Sequence, residues 1–235
     1  MIKTVLFDMD GTLLPMDTKL FEKLYFKTLA AKVAPLGYEP SKLIGGVLAG
    51  LDAMIANDGS VTNDVAFWKV FSGIFGQKAY NDIPSFDQYY QTDFVAAKAA
   101  CGFNAKAVDI VKRLNKCGTQ VVLATNPLFP LVAQQARISW AGLSESHFAL
   151  ITHYANSHYC KPNIGYYEEI VATLGLNPAE CLMVGNDVNE DMIASRLGMK
   201  VFLVTDCLIN ANNLDISAYP HGNFDDLEQY LRAII

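Results

Sequence analysis

Five short runs of β-branched and large apolar residues punctuate the chain: Thr4 to Phe7, Gln120 to Ala124, Phe148 to Thr152, Cys181 to Val184 and Lys200 to Val204. Near-continuous apolarity over four or five residues, without polar alternation, predicts strands buried on both faces. Between them apolar positions recur at helical spacing. Val108, Val111 and Leu114 form one such stripe; Ile164, Tyr167, Ile170, Val171 and Leu174 form another; Phe224, Leu227, Leu231 and Ile234 form a third. Strands alternating with one-sided helices predict an α/β fold, a Rossmann-like, doubly wound parallel sheet covered on both faces.

One interval breaks this rhythm. The first strand ends near Asp8 and the second begins only near Thr119, far beyond a normal crossover connection. Residues 15–100 hold few strand signals but several helical stretches, Thr18 to Val33, Ser41 to Ala56, Thr62 to Phe75 and Ser85 to Lys98, separated by Pro, Gly, Asn and Asp. They predict an inserted α-helical cap domain, with residues 1–14 and 101–235 forming the α/β core. The stretch Val65 to Phe75 is apolar on nearly every face and reads as the cap's own interior.

At 235 residues, 51% hydrophobic and 18% charged, the chain has the profile of one sizeable globular core with a smaller insert. A net charge of -6 gives no footprint for a nucleic-acid backbone, so a small ligand is expected, with no nucleic acid and no membrane among the partners. The five cysteines are scattered, with no C-x-x-C pair, which fits reduced thiols and a cytoplasmic location. Two aspartates interrupt the first apolar run where a secretory signal would need an unbroken one. Either a monomer or a homodimer fits this composition.

Ligands of an open parallel sheet lie beyond the carboxyl ends of its strands. That rule gathers Asp8 and Asp10 after the first run, Thr125 after the second, and Asp187 with Asp191 after the fourth. Two aspartates one residue apart, followed by Gly11 for a tight turn, can aim one carboxylate at an electrophile while the other exchanges protons. A phosphorus centre suits the pair: Asp8 would form an aspartyl-phosphate, and Asp10 would protonate the leaving oxygen and then deprotonate the attacking water. Carboxylates repel a phosphate dianion, so cations are needed. A divalent ion held by oxygen ligands, Mg2+, together with Lys161 would supply them. A calcium loop is excluded, because it requires glycine where Leu13 stands and an acid where Lys19 stands. His153 and His158 lack the spacing of a metal-binding helix, and Cys160 has no identifiable base; all three read as surface or packing residues.

Asp8-Met9-Asp10-Gly11-Thr12-Leu13, Thr125-Asn126, Lys161-Pro162 and the acidic stretch from Gly185-Asn186-Asp187 to Asp191 resemble the four motifs of the haloacid dehalogenase (HAD) superfamily, and residues 15–100 are similar to its helical cap. The resemblance implies Asp8 as nucleophile, Asp10 as acid/base and the main-chain carbonyl of Asp10 as a magnesium ligand beside Asp8. It implies that Thr125 and Asn126 bind the phosphoryl group, and that Lys161 neutralises charge on nucleophile and phosphate. Asp187 and Asp191 would complete the metal site. One departure stands out: Asn186 occupies the position directly after the glycine where relatives carry the acid. Either Asp187 is the direct ligand with Asp191 in an outer shell, or the roles are shared differently. The expected activity is hydrolysis of a small phosphorylated metabolite. A phosphomutase of the same superfamily and a non-catalytic phosphate sensor are the alternatives.

Overall fold

The computed structural model describes residues 1–235. Six parallel strands, β1 (Thr4–Phe7), β2 (Gln120–Leu123), β3 (Leu150–Ile151), β4 (Cys181–Gly185), β5 (Lys200–Val204) and β6 (His221–Gly222), lie in the order β3-β2-β1-β4-β5-β6. The order reverses between β1 and β4, which is where an open sheet of this kind leaves a crevice. Alternate residues of each strand feed opposite faces. Val5, Phe7, Leu123, Leu182 and Val184 enter a large cluster on one side; Leu6, Val122, Met183, Val201 and Leu203 enter a smaller one on the other. Both faces are covered, so the strand interiors are apolar, with polar residues confined to strand starts such as Thr4, Gln120 and Lys200 and to the edge strand β6.

The helices follow their expected stripes closely. The insert contains α1 (Thr18–Val33), α2 (Pro40–Ile55), α3 (Asn63–Phe75), a short α4 (Lys78–Asn81) and α5 (Ile83–Thr92). The Asp17 carboxylate caps α1 by accepting from the Leu20 amide at 3.0 Å, and Glu39 accepts from the Ser41 and Lys42 amides at the start of α2. The last helix expected in the insert, Ser85 to Lys98, is instead two pieces. α5 stops at Thr92, whose hydroxyl bonds to the Gln88 carbonyl and the Asp93 carboxylate, and a 3₁₀ stretch continues from Phe94 to Ala100.

The sheet is flanked by α6 (Ala105–Lys116), α7 (Leu131–Trp140), α8 (Ile164–Leu174) and α9 (Phe224–Ile234). Two elements leave no clear mark in the sequence: β6 is a two-residue edge strand without an apolar run, and α7 carries Gln134 and Arg137 on its buried side. The strand expected over Phe148 to Thr152 narrows to β3, because a 3₁₀ turn at Glu145–His147 holds Phe148 at its end. Apolar side chains of the insert, among them Phe21, Tyr25, Phe71 and Phe94, belong to the same buried cluster as Val5 and Phe7. No helix is long and apolar enough to cross a membrane.

Candidate active site

The ends of β1, β2 and β4 form one rim. The Asp8 amide donates to the Val184 carbonyl at 2.9 Å, and the Ala124 amide to the Phe7 carbonyl at 2.7 Å, so Asp8, Thr125 and Gly185 stand side by side. Beyond Asp8 the chain turns back on itself: Leu14 N donates to the Met9 carbonyl, and Gly11 N to the Leu14 carbonyl. Gly11 makes this turn with φ of +83°, a backbone conformation open to glycine, and a Cβ there would also collide with the Asn186 side chain.

Lys161, delivered by the loop before α8, is 1% exposed. Its Nζ donates to Asp8 Oδ1 at 3.0 Å and to Asp191 Oδ1 at 2.7 Å. The other Asp191 oxygen accepts from the Asp187 amide at 2.9 Å. Gly185 makes room for this, since a Cβ on it would run into the Asp191 carboxylate. The Asp187 side chain folds the loop locally by accepting from the amides of Asn189 and Glu190 at 2.7 and 3.0 Å. Asn186 joins two loops: its Oδ1 accepts from the Thr12 hydroxyl at 2.9 Å and its Nδ2 donates to the Cys207 carbonyl at 2.7 Å. The residue in the unusual position is thus a brace between the end of β4 and the loop after β1.

Thr125 is 2% exposed, and its carbonyl accepts from Thr152 Oγ1 and Tyr166 Oη at 2.7 and 2.9 Å. The Asn126 amide group donates to both Glu190 carboxylate oxygens at 3.1 Å, while its Oδ1 accepts from the Lys161 main chain at 3.2 Å. The side chain of Asn126 is therefore committed to holding the Lys161 and Glu190 loops together. His158 is engaged by the Glu169 carboxylate at 2.6 Å, and burial pushes the Cys160 thiol up to about 12, which leaves it a packing residue.

Sequence reading missed Arg137. This residue of α7 is 1% exposed, pairs with the Asp10 carboxylate through Nη1, donates from Nη2 to Gln134 Oε1 at 2.6 Å, and lies 4.5 Å over the Phe129 ring. Asp10 Oδ1, Gln134 Nε2 and Arg137 Nε are buried without a partner in the protein, so this cluster is costly to assemble. The signal was present, since a cation and an amide interrupt the apolar stripe of Ala133, Ile138, Trp140 and Ala141. A charge on a core-facing stripe needs a buried partner, and Asp10 is that partner.

Five carboxylates, those of Asp8, Asp10, Asp187, Glu190 and Asp191, share the site with two cationic side chains, Lys161 and Arg137. Burial by itself would lower the Lys161 ammonium, but Asp191 and Asp8 outweigh it and hold the group well above its usual range. Burial, with help from neighbouring carboxylates, pushes Glu190 up to about 8. Burial also raises Asp10, against the pull of Arg137. This anionic excess of hard oxygen donors fits a divalent cation such as Mg2+. Three acidic side chains do not converge on one point. Asp8, whose second oxygen is not engaged by Lys161, the main-chain carbonyl of Asp10 and one acid of the loop after β4 are the groups that could supply donors to such an ion.

A family model described as haloacid dehalogenase-like hydrolase matches residues 2–197. A glyceraldehyde 3-phosphate phosphatase from Methanothermobacter thermautotrophicus is 36% identical over 77 residues, a stretch that spans 29% of this chain and 32% of that protein. Among solved structures, a HAD phosphatase from Thermococcus onnurineus superposes with a TM-score of 0.57 at 18% identity, covering 98% of both chains. The Bacillus subtilis protein YfnB, bound to magnesium, superposes with a TM-score of 0.57 at 17% identity, covering 100% of this chain and 99% of the other. With the family model matching most of its length and the parallel sheet placing Asp8 and Lys161 together, the chain belongs to the haloacid dehalogenase-like hydrolases.

Proposed function

We propose that this hydrolase is a Mg2+-dependent phosphatase acting on a small phosphorylated metabolite, with residues 15–100 serving as a cap over a core of residues 1–14 and 101–235. The observation that carries the reading is the buried Lys161 ammonium held between Asp8 and Asp191, with Asp10 two residues beyond Asp8. In this reading Asp8 attacks phosphorus and the bond to the leaving oxygen breaks as Asp10 delivers its proton to that oxygen. Water then attacks the aspartyl-phosphate, giving its proton to Asp10, and releases phosphate with Asp8 restored. A carboxyl raised by burial is suited to arriving protonated for the first step. Lys161 neutralises charge on the nucleophile and the incoming phosphate. Thr125 and the main-chain amide of Asn126 hold the phosphoryl group at the end of β2, while the Asn126 side chain fixes the loop that carries Lys161. Asp8, the Asp10 carbonyl, Asp187 and Asp191 are the residues that would hold Mg2+ or its ligand waters, and the ion would neutralise the transferring phosphoryl oxygens.

The test is phosphate release from a panel of phosphomonoesters with and without Mg2+, with Asp8→Asn as the blank. Metal-dependent release that disappears in the variant is expected; release that survives in Asp8→Asn overturns the covalent mechanism.

A further inference from the structure

Between the insert and the loop after β2 lies a cavity of about 50 Å³. Its wall includes the rings of Tyr25, Phe67, Trp68, Tyr90 and Tyr154, and its floor is Leu128 to Pro130. Leu128 follows Asn126 by two residues, a separation of at most about 7 Å along an extended chain, so the cavity opens within a short reach of the proposed phosphate position. Aromatic walls alone would indicate an apolar ligand. Asp87 changes that: it is the one charged residue lining the cavity, it is half-buried, and no cation or hydrogen-bond donor of the protein engages its carboxylate.

We infer that this cavity binds an ammonium group, and that the substrate is the phosphate monoester of a short amino alcohol, with its nitrogen seated among the aromatic rings beside Asp87. Ring faces attract a cation and a partly buried carboxylate beside them pairs with it, so the two features select the same chemistry. Arg137 does not satisfy the site from within, because its guanidinium is already paired with Asp10 and stacked on Phe129. Burial raises the Asp87 carboxyl, and a bound ammonium would draw it back down. The volume equals about four water-sized units at roughly 12 Å³ each, which suits a primary ammonium and its adjacent carbon but not a nucleobase. The assignment rests on the phosphatase reading for the reaction, while the ammonium site itself can be tested without turnover.

The experiment compares phosphoethanolamine with n-propyl phosphate, which has the same heavy-atom skeleton and no charge on the terminal group. The wild type is expected to favour phosphoethanolamine in kcat/KM by about tenfold or more, and Asp87→Asn to bring the ratio close to one. In parallel, ethanolamine is titrated against Trp68 fluorescence in a Trp140→Phe background. A saturable change is expected, absent in Asp87→Asn and absent with n-propanol. A wild-type ratio near one, or a ratio unchanged by Asp87→Asn, overturns the inference while leaving the phosphatase reading intact. Should neither ester be hydrolysed while another phosphomonoester of the panel is, the substrate assignment is overturned and the phosphatase reading stands; should no phosphomonoester be hydrolysed, the phosphatase reading fails, and the ethanolamine titration decides the ammonium site, with Asp87-dependent saturation sustaining it and a flat response removing it.

Discussion

Arg137 and Gly185 show how single residues set the chemistry without touching a substrate. Replacing Arg137 by Met would leave the Asp10 carboxylate beside an apolar side chain, and breaking a buried pair typically costs about 3 kcal/mol. A loss of that order in urea unfolding is expected, with a fall in kcat larger than any change in KM, because the residue being freed is the proposed proton donor. Gly185→Ala makes a sharper separation between stability and activity. The new methyl group would push the Asp191 carboxylate off Lys161, so turnover should fall at least about tenfold while the far-ultraviolet circular dichroism of the sheet is retained; unchanged turnover would show that Asp191 does not position Lys161. At this scale the sequence was legible where chemistry and strand end coincide, as at Asp8, Thr125 and Lys161. It marked Arg137 as a cation on a core-facing stripe but was silent on its partner and on the brace formed by Asn186, since these pairings span 127 and 174 residues of chain, and no local period records them.

Elements were legible in proportion to how one-sided their burial is. β1, β2, β4 and β5 present almost only apolar residues to two covered faces after their first positions, and α6 and α9 have a clean apolar stripe, so pattern and structure agree within a residue or two. α7 escaped because its inner face mixes an ion pair into the core. α9 is tied to α6 by Glu228, whose carboxylate meets Arg113 and Lys106 on α6 and Arg232 on its own helix. Hydrogen bonds from Arg113 and then Arg232 lower this carboxyl to about 2. The pairing therefore stabilises the fold above the ordinary glutamate pKa of about 4.3, and that contribution is lost as pH falls through about 2. Glu228→Gln should melt at a lower temperature than the wild type at neutral pH, with the gap closing between about pH 4 and about pH 2; a gap that persists at the acid end would place the effect in packing rather than in charge.

Across the whole molecule, a single buried cluster runs from the sheet into the helical insert. The chain has two tryptophans, Trp68 in the insert and Trp140 on α7, so each region carries its own reporter. Single-tryptophan variants, Trp140→Phe and Trp68→Phe, should give coincident urea transitions; two separated midpoints would show that the insert unfolds on its own. Phe71, fully buried in the insert, should cost about 3 to 5 kcal/mol on truncation to Ala and should shift both reporters together. The helical periods between the first two strands were legible in the sequence, but not this continuity, because shared burial is a property of docking and not of any one helix.

The root of the insert is narrow. Met16 and Cys101 pair as an antiparallel bridge, Asp17 N donates to the Ala100 carbonyl at 3.0 Å and Gly102 N to the Pro15 carbonyl at 2.7 Å, while Asp10 itself bridges to Leu14. Entry and exit strands thus form a waist only two chains wide, and one side of that waist is the loop that ends at the proposed acid/base. Any swing of the insert would be felt at Asp10 as torque on its own backbone. The insert also meets the core away from this stem, where the Asn63 and Asp64 amides donate to the Ser157 and Tyr154 carbonyls at 2.9 and 3.0 Å, so load on it is shared between the waist and a second seam.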